Sequence, residues 1–185
     1  VENEVDKQIS EKTKKQFDQW SIDYDRSVWQ RYFRVVNKLI LKEIVGADSK
    51  IKVLDVGCGT GQLLEILFSS GYHSVFGVDI SNGMITKARK RLPSLHDHLQ
   101  VVHAETIPFK EGSFDVLVCS NSFHHYEDQL LVLKEFFRVL KVGGKLILVD
   151  PFTDNILRKV WCNILKLIFD ERHVSYLSRN NLQAM

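Results

Sequence analysis

Between Ile51 and Asp150 the sequence alternates short apolar runs with segments whose apolar residues recur every third or fourth position. The runs Ile51–Val56, Ser74–Asp79, Leu99–His103, Phe114–Ser120 and Lys145–Asp150 predict five buried strands. The periodic segments predict three helices. One covers Gln62–Ser69 and is closed by Gly71; a second covers Asn82–Arg91, capped by Ser81 and stopped by Pro93. The third covers Leu130–Leu140, with Leu133, Phe136, Phe137 and Leu140 facing inward. Gly112 and Gly143-Gly144 mark turns, and Pro151 prevents extension of the last strand. Strands separated by helices of this length predict a doubly wound α/β fold, a mainly parallel sheet with right-handed crossovers on both faces.

The flanks read differently. Residues 1–20 are polar and predict a frayed start followed by a short helix ending near Phe17 and Trp20. Ser27 is a candidate N-cap for a helix running to about Ile44, with Val28, Tyr32, Val35, Val36, Leu39 and Ile40 on one apolar face. Either this helix packs on the sheet, or Trp20, Tyr24 and Trp29 also help to cover a ligand. After the last strand, Asp154–Phe169 predicts a strongly apolar helix, and Ser178 predicts the start of another. Core packing, a lid, an apolar substrate pocket and a surface for lipid or a partner chain all fit that helix. The organisation expected is a helical cap over residues 1–45, a ligand-binding core over 46–150 and a helical segment over 151–185, in one domain overall.

The stretch V-L-D-V-G-C-G-T-G, Val53–Gly61, joins the first strand to the first helix. Gly57, Gly59 and Gly61 allow a sharp turn and leave no Cβ between backbone and ligand. The helix that follows presents unpaired N–H groups and a positive dipole end, so the unit forms a mononucleotide cradle. Two details choose the ligand. The dinucleotide fingerprint G-x-G-x-x-G requires a third glycine at position 62, where this chain has Gln62. Asp55, just before the first glycine, repels a pyrophosphate and suits a ligand carrying an ammonium or sulfonium. Asp79, ending the second strand, can accept hydrogen bonds from both ribose hydroxyls, although an acid there can also serve the helix start at Ser81. The basic run Lys87, Arg89, Lys90 and Arg91 lies in the last turn of its helix, where it complements the macrodipole and reads as a solvated end.

The D-x-G-x-G-x-G spacing of Asp55–Gly61 resembles motif I of the class I S-adenosylmethionine-dependent methyltransferases. Three further stretches are similar to the same family, in order. His103–Phe109, H-A-E-T-I-P-F, resembles the adenine-holding D-A-x-x-L-P-F segment, with His103 in place of the usual acid or amide. Phe114–His125 resembles the fourth strand and its exit loop, and Leu140–Leu146 resembles the L-K-P-G-G-x-L turn with Val142 in place of proline. The resemblance covers roughly residues 20–150, extends to the quinone-biosynthesis and related small-molecule C- and O-methyltransferases, and implies a Rossmann-like sheet. It implies S-adenosylmethionine as cofactor, held by Tyr24, Asp55, Gly57, Cys58, Gly59, Gly61, Asp79, Ile80, Met84, Ala104, Glu105 and Ser120, with no metal. Tyr-Asp before a helix also resembles the family's N-terminal lid. The family fold normally adds two antiparallel strands after the fifth, so the fifth strand here is expected to present an open edge. Either the chain is a fragment or a second copy covers that edge as a homodimer.

Methyl transfer from a sulfonium is an in-line displacement at an activated carbon, which needs alignment and exclusion of water more than acid–base chemistry. His124 and His125 leave the fourth strand at the ligand-facing end, so either is a candidate base. The alternative is structural: one packs and hydrogen-bonds the loop, and the other is exposed. Trp20, Trp29, Tyr32 and the apolar Asp154–Phe169 segment tilt the expected acceptor toward a small, partly apolar molecule. A protein that binds S-adenosylmethionine without transferring methyl, and an NAD-dependent oxidoreductase, are the other function classes; Asp55 and Gln62 count against the last.

Composition narrows this modestly. With 185 residues, 44% hydrophobic and 26% charged, the chain can bury one substantial core. A formal net charge of +2 is too mild for a nucleic-acid footprint. Cys58, Cys119 and Cys162 have no zinc-like spacing and suggest reduced thiols in a cytoplasmic setting. No run has the length of a membrane span and the N-terminus is too polar for a signal peptide, so no stable membrane insertion is expected.

Overall fold

The computed structural model describes residues 4–151 and residue 160. Its elements, in order, are α1 (Glu4–Ser21), α2 (Gln30–Ile44), β1 (Val53–Val56), α3 (Gln62–Ser69), β2 (Val75–Asp79), α4 (Asn82–Arg91), β3 (Leu99–Val101), β4 (Phe114–Ser120), α5 (Gln129–Val139) and β5 (Leu140–Val149). Short 3-10 turns cover Tyr24–Arg26, Pro93–His98 and Phe123–His125. The helix expected over Asp154–Phe169 lies outside the described residues except for Val160, which is helical and half exposed. Cys162 and Ser178 also lie outside them.

The five strands are all parallel, in the order β3-β2-β1-β4-β5. Strand order reverses between β1 and β4, and this switch point is where such sheets bind ligands. The period-2 alternation of strand side chains divides the core into two layers. Val53, Val75, Val116 and Val118 pack against α2, α3 and α4 through Ile40, Leu64, Leu67 and Ile85. Leu54, Val56, Leu117 and Cys119 pack on the other face against Val132, Phe136 and Val139 of α5. All four β1 residues are buried because β1 is central and covered on both faces.

The strand and helix readings hold to within a few residues, with informative exceptions. The N-terminal helix is a long one, Glu4–Ser21, where a short one was expected. Ser27 does not cap α2; it ends the preceding 3-10 turn, and α2 begins at Gln30 with no side-chain cap. The buried stripe of α2 is Val36, Asn37, Ile40 and Ile44, while Val28, Tyr32, Val35 and Leu39 are exposed. Both stripes are apolar at helical spacing, so periodicity could not choose between them. Phe137 of α5 is likewise exposed, and Leu140 belongs to β5. Gly143-Gly144 does not separate α5 from a later strand. It forms an irregularity inside β5, which pairs Leu140 with Phe114 and then Lys145 with Val116.

Candidate active site

The glycine turn is tied down by the neighbouring strand. The Gly57 and Cys58 N–H groups donate to the Val78 carbonyl at 2.9 and 3.1 Å, and the Gly59 N–H donates to Asp79 Oδ2 at 2.8 Å. Gly57 has φ +76°, and a Cβ there would come within 2.4 Å of Ser122 Oγ on the β4 exit loop. Glycine is therefore required twice over, by backbone conformation and by the close approach of β4.

Asp79 is buried at the end of β2, and its other oxygen accepts from the Ser81 N–H at 2.9 Å. Burial pushes its carboxyl up to about 6, against the lowering effect of the Ser81 and Gly59 N–H groups. Asp55, 3% exposed on the adjacent strand, is pushed up to about 7 by burial first and by the Asp79 charge second. Val53 and Asp55 share one strand face, and Asp55 is registered opposite Gly77, two residues from Asp79. Two carboxyls thus sit side by side beneath the glycine turn.

A cavity of about 760 Å³ opens at the carboxyl ends of the strands. Of the residues expected to hold the cofactor, Tyr24, Gly57, Gly59, Asp79, Ile80, Met84, Ala104, Glu105 and Ser120 line it. Asp55 and Cys58 do not; they border a neighbouring space of about 50 Å³, shared with Tyr24, Gly59 and Ser120. Gly61 lines neither, because it is the N-cap of α3 and packs against Ala88, whose Cβ would lie 3.1 Å from an added Cβ. The Cys58 thiol is buried and held well above its ordinary value, first by burial and then by the nearby carboxylates, which suits a packed side chain.

The structure separates the two histidines. His125 lines the cavity and meets Phe17 edge-on at 4.9 Å. His124 is buried behind it, with its ring 4.1 Å from that of His125 and its Nδ1 2.8 Å from Asp150 Oδ1. Burial holds the Asp150 carboxyl well above the usual range. His124 therefore does not reach the cavity directly.

Sequence reasoning missed several lining residues. Thr13 and Phe17 come from α1, and Asn121, Ser122 and Tyr126 from the β4 exit loop. Asn121 has φ +54°, a conformation that asparagine tolerates better than most residues, and this is the one signal that could have marked it. Nothing local announces the docking of α1. Asp18 Oδ1 accepts from Ser81 Oγ at 2.6 Å and from the Gly83 N–H at 2.9 Å, so it sits at the start of α4 beside the Ser81 cap. The basic end of α4 is solvated at Lys90, but its other three basic residues are engaged. Lys87 donates to the Ile22 carbonyl, Arg89 to the Leu99 carbonyl and Arg91 to Asp25. Among the described residues no cluster of three ligating side chains is placed to hold a metal ion, and no helix is long and apolar enough to cross a membrane.

Residues 54–148, just over half of the chain, match the methyltransferase domain. The chain belongs to the methyltransferase domain family. It is 35% identical over 120 residues to a demethylmenaquinone methyltransferase of Chlorobaculum parvum, covering 65% of this chain and 49% of that protein. It is 33% identical over 141 residues to an uncharacterized methyltransferase, YcgJ, of Bacillus subtilis, covering 72% of this chain and 54% of that one. The crystal structure of the B. subtilis YcgJ protein superimposes with a TM-score of 0.70 at 29% identity, over 80% of this chain and 64% of that one. The chain therefore spans about half the length of the curated relatives it matches. The relation to class I S-adenosylmethionine-dependent methyltransferases that the motifs implied holds, as does the Rossmann-like sheet.

Proposed function

We propose that the protein transfers a methyl group from S-adenosylmethionine to a small, partly apolar acceptor. One observation carries this reading beyond family membership. Two buried carboxyls underlie the glycine turn, and among the described residues those lining the main cavity include Asp79, Glu105, Glu127 and Asp128 but no Lys or Arg. A pyrophosphate would face uncompensated acid there, whereas a ribose with a cationic tail is well matched. The cofactor supplies a methyl group already activated on sulfur. In this reading the chain's residues bind and orient it. Asp79 accepts from the ribose hydroxyls, Asp55 favours the cationic tail, Ile80, Met84, Ala104 and Glu105 flank the base, and Tyr24 closes over the glycine turn. Residues 1–45 act as a cap, because Thr13, Phe17 and Tyr24 complete the wall and exclude water.

The acceptor class follows from the remaining wall. Phe17, His125, Tyr126 and Leu131 offer apolar and aromatic surface with one imidazole. An uncharged ring of the quinone class, the class in the name of the demethylmenaquinone relatives, or its reduced hydroquinone form, fits this better than an anionic acceptor. In this reading His125, which lines the cavity, takes the proton if the acceptor must lose one. At the sheet edge, β5 pairs only with β4 among the described residues, and a second copy of the chain is one partner that would cover its free side.

Calorimetry with S-adenosylmethionine and S-adenosylhomocysteine on wild type and Asp79→Ala tests the reading. The substitution is expected to weaken binding by about 1–3 kcal/mol, the loss when hydrogen bonds to a charged group are removed. Absence of binding to the wild type would sink the cofactor assignment. Tight binding with no methyl transfer to hydroquinone-type acceptors would remove that acceptor class, and no turnover on any acceptor would leave a binding protein in place of an enzyme.

A further inference from the structure

Asp25 is the residue next to Tyr24, yet its side chain turns away from the cavity and is the hub of a network. Its Oδ1 accepts from Thr60 Oγ1 at 2.7 Å and from Gln62 Nε2 at 2.8 Å, and its Oδ2 accepts from Arg91 Nη2 at 2.6 Å. Thr60 lies inside the glycine turn, Gln62 opens α3 and Arg91 closes α4. Gln62 also donates to Gln30 Oε1 at 2.6 Å, and Gln30 Nε2 donates back to the Tyr24 carbonyl at 2.7 Å. The 3-10 turn bearing Tyr24 is thus fastened from both sides to the cradle it covers. The Arg91 side chain is 20% exposed and that of Asp25 36%, so water screens the pair in part. Hydrogen bonds from Thr60 and Gln62, with the Arg91 charge, hold the Asp25 carboxyl below the usual range although burial alone would raise it.

We propose that Asp25 and Arg91 are positioning residues for the cofactor, acting through Tyr24: they latch the Tyr24–Arg26 turn onto the glycine turn and so set how fast the cofactor leaves. The proposal rests on the cofactor reading above. Tyr24 lines both the main cavity and the smaller space beside Asp55, with its ring 4.0 Å from where a Cβ on Gly59 would stand. In this proposal the turn holds a ligand seated on the glycine turn, and lifting it breaks the bonds to Thr60, Gln62 and Arg91 together. The pairing is non-local, since Asp25 and Arg91 are 66 positions apart. It also gives the basic end of α4 a task that a solvated helix end would lack.

Two measurements separate the latch from the cofactor assignment. The first is amide exchange over residues 22–27 in the ligand-free protein, expected to be about tenfold faster in Asp25→Asn and in Arg91→Gln than in wild type, with the β-strands unchanged. Equal exchange in all three proteins overturns the latch. The second is the dissociation rate of S-adenosylhomocysteine from wild type, each single variant and the double variant. Each single variant is expected to release it roughly tenfold faster, the factor corresponding to loss of one charge-assisted hydrogen bond. The effect of the double variant should be clearly less than additive, because both substitutions remove the Asp25–Arg91 pair, although Asp25 also meets Thr60 and Gln62 and Arg91 also meets Thr60 and Glu65. Arg91→Lys should restore part of the slow release, and added salt should quicken release from wild type more than from the variants. Additive effects, or single variants within twofold of wild type, overturn the positioning role. Failure of wild type to bind S-adenosylhomocysteine overturns the cofactor reading and this role with it, while the exchange result alone still decides whether the latch exists.

Discussion

Asp55 and Asp79 stand on neighbouring strands, and the folded state raises both, to about 7 and about 6. Between the ordinary carboxylate range and those values the folded protein binds more protons than the unfolded chain. Stability therefore falls as pH rises from about 4 to about 7, then levels off. Asp55→Asn should flatten that slope in denaturant titrations across pH. Cofactor binding runs the other way, because a cationic ligand favours the ionised pair. Its affinity should rise between pH 6 and 8, and calorimetry below pH 7 in buffers of different ionisation enthalpy should detect proton release. The histidines differ at the same scale. His124→Ala leaves the buried Asp150 carboxyl without its imidazole partner and should cost about 1–3 kcal/mol of stability, the range for a buried polar group left short of a hydrogen bond. His125→Ala should cost far less stability and lower turnover instead, if the acceptor loses a proton. Thermal melts beside turnover measurements separate the two; near-normal turnover in both variants would remove base catalysis by this pair.

At the scale of elements, α2 shows what periodicity leaves open. It carries two apolar stripes, and the sheet buries only the one through Val36, Ile40 and Ile44. Ile40→Ala should cost about 2–5 kcal/mol, whereas Leu39→Ala, on the exposed stripe, should stay within about 0.5 kcal/mol. Chemical denaturation of the two variants gives both numbers, and similar losses would mean that the exposed stripe is covered. Helices with one apolar stripe were legible from sequence: α3 and α4 bury Leu63, Leu64 and Leu67, and Met84, Ile85 and Ala88, and their bounds match the periodic segments. The Ser81 cap was legible too, because its side chain acts three residues away, accepting from the Met84 N–H at 3.1 Å. Ser27 carries the same chemistry and does not cap α2, since the chain there is leaving the Tyr24–Arg26 turn, which Asp25 and Gln30 fasten, and α2 begins only at Gln30.

At the scale of the molecule, the reversal of strand order between β1 and β4 creates the cavity, and the glycine turn, Asp79 and the β4 exit loop meet there because each ends a parallel strand on the same side of the sheet. The sequence by itself determined the succession of strands and helices, the glycine cradle and the two acids beside it. Burial alternation, glycine conformation and helix caps act over a few residues and are written locally. The tertiary structure alone decided which stripe of α2 is buried, how α1 seats Asp18 against α4, that His125 and not His124 faces the cavity, and that Arg91 grips Asp25. Each of these joins groups far apart in the chain or turns on the side from which a neighbour approaches. A residue's local pattern carries no mark of a partner that only folding brings within reach.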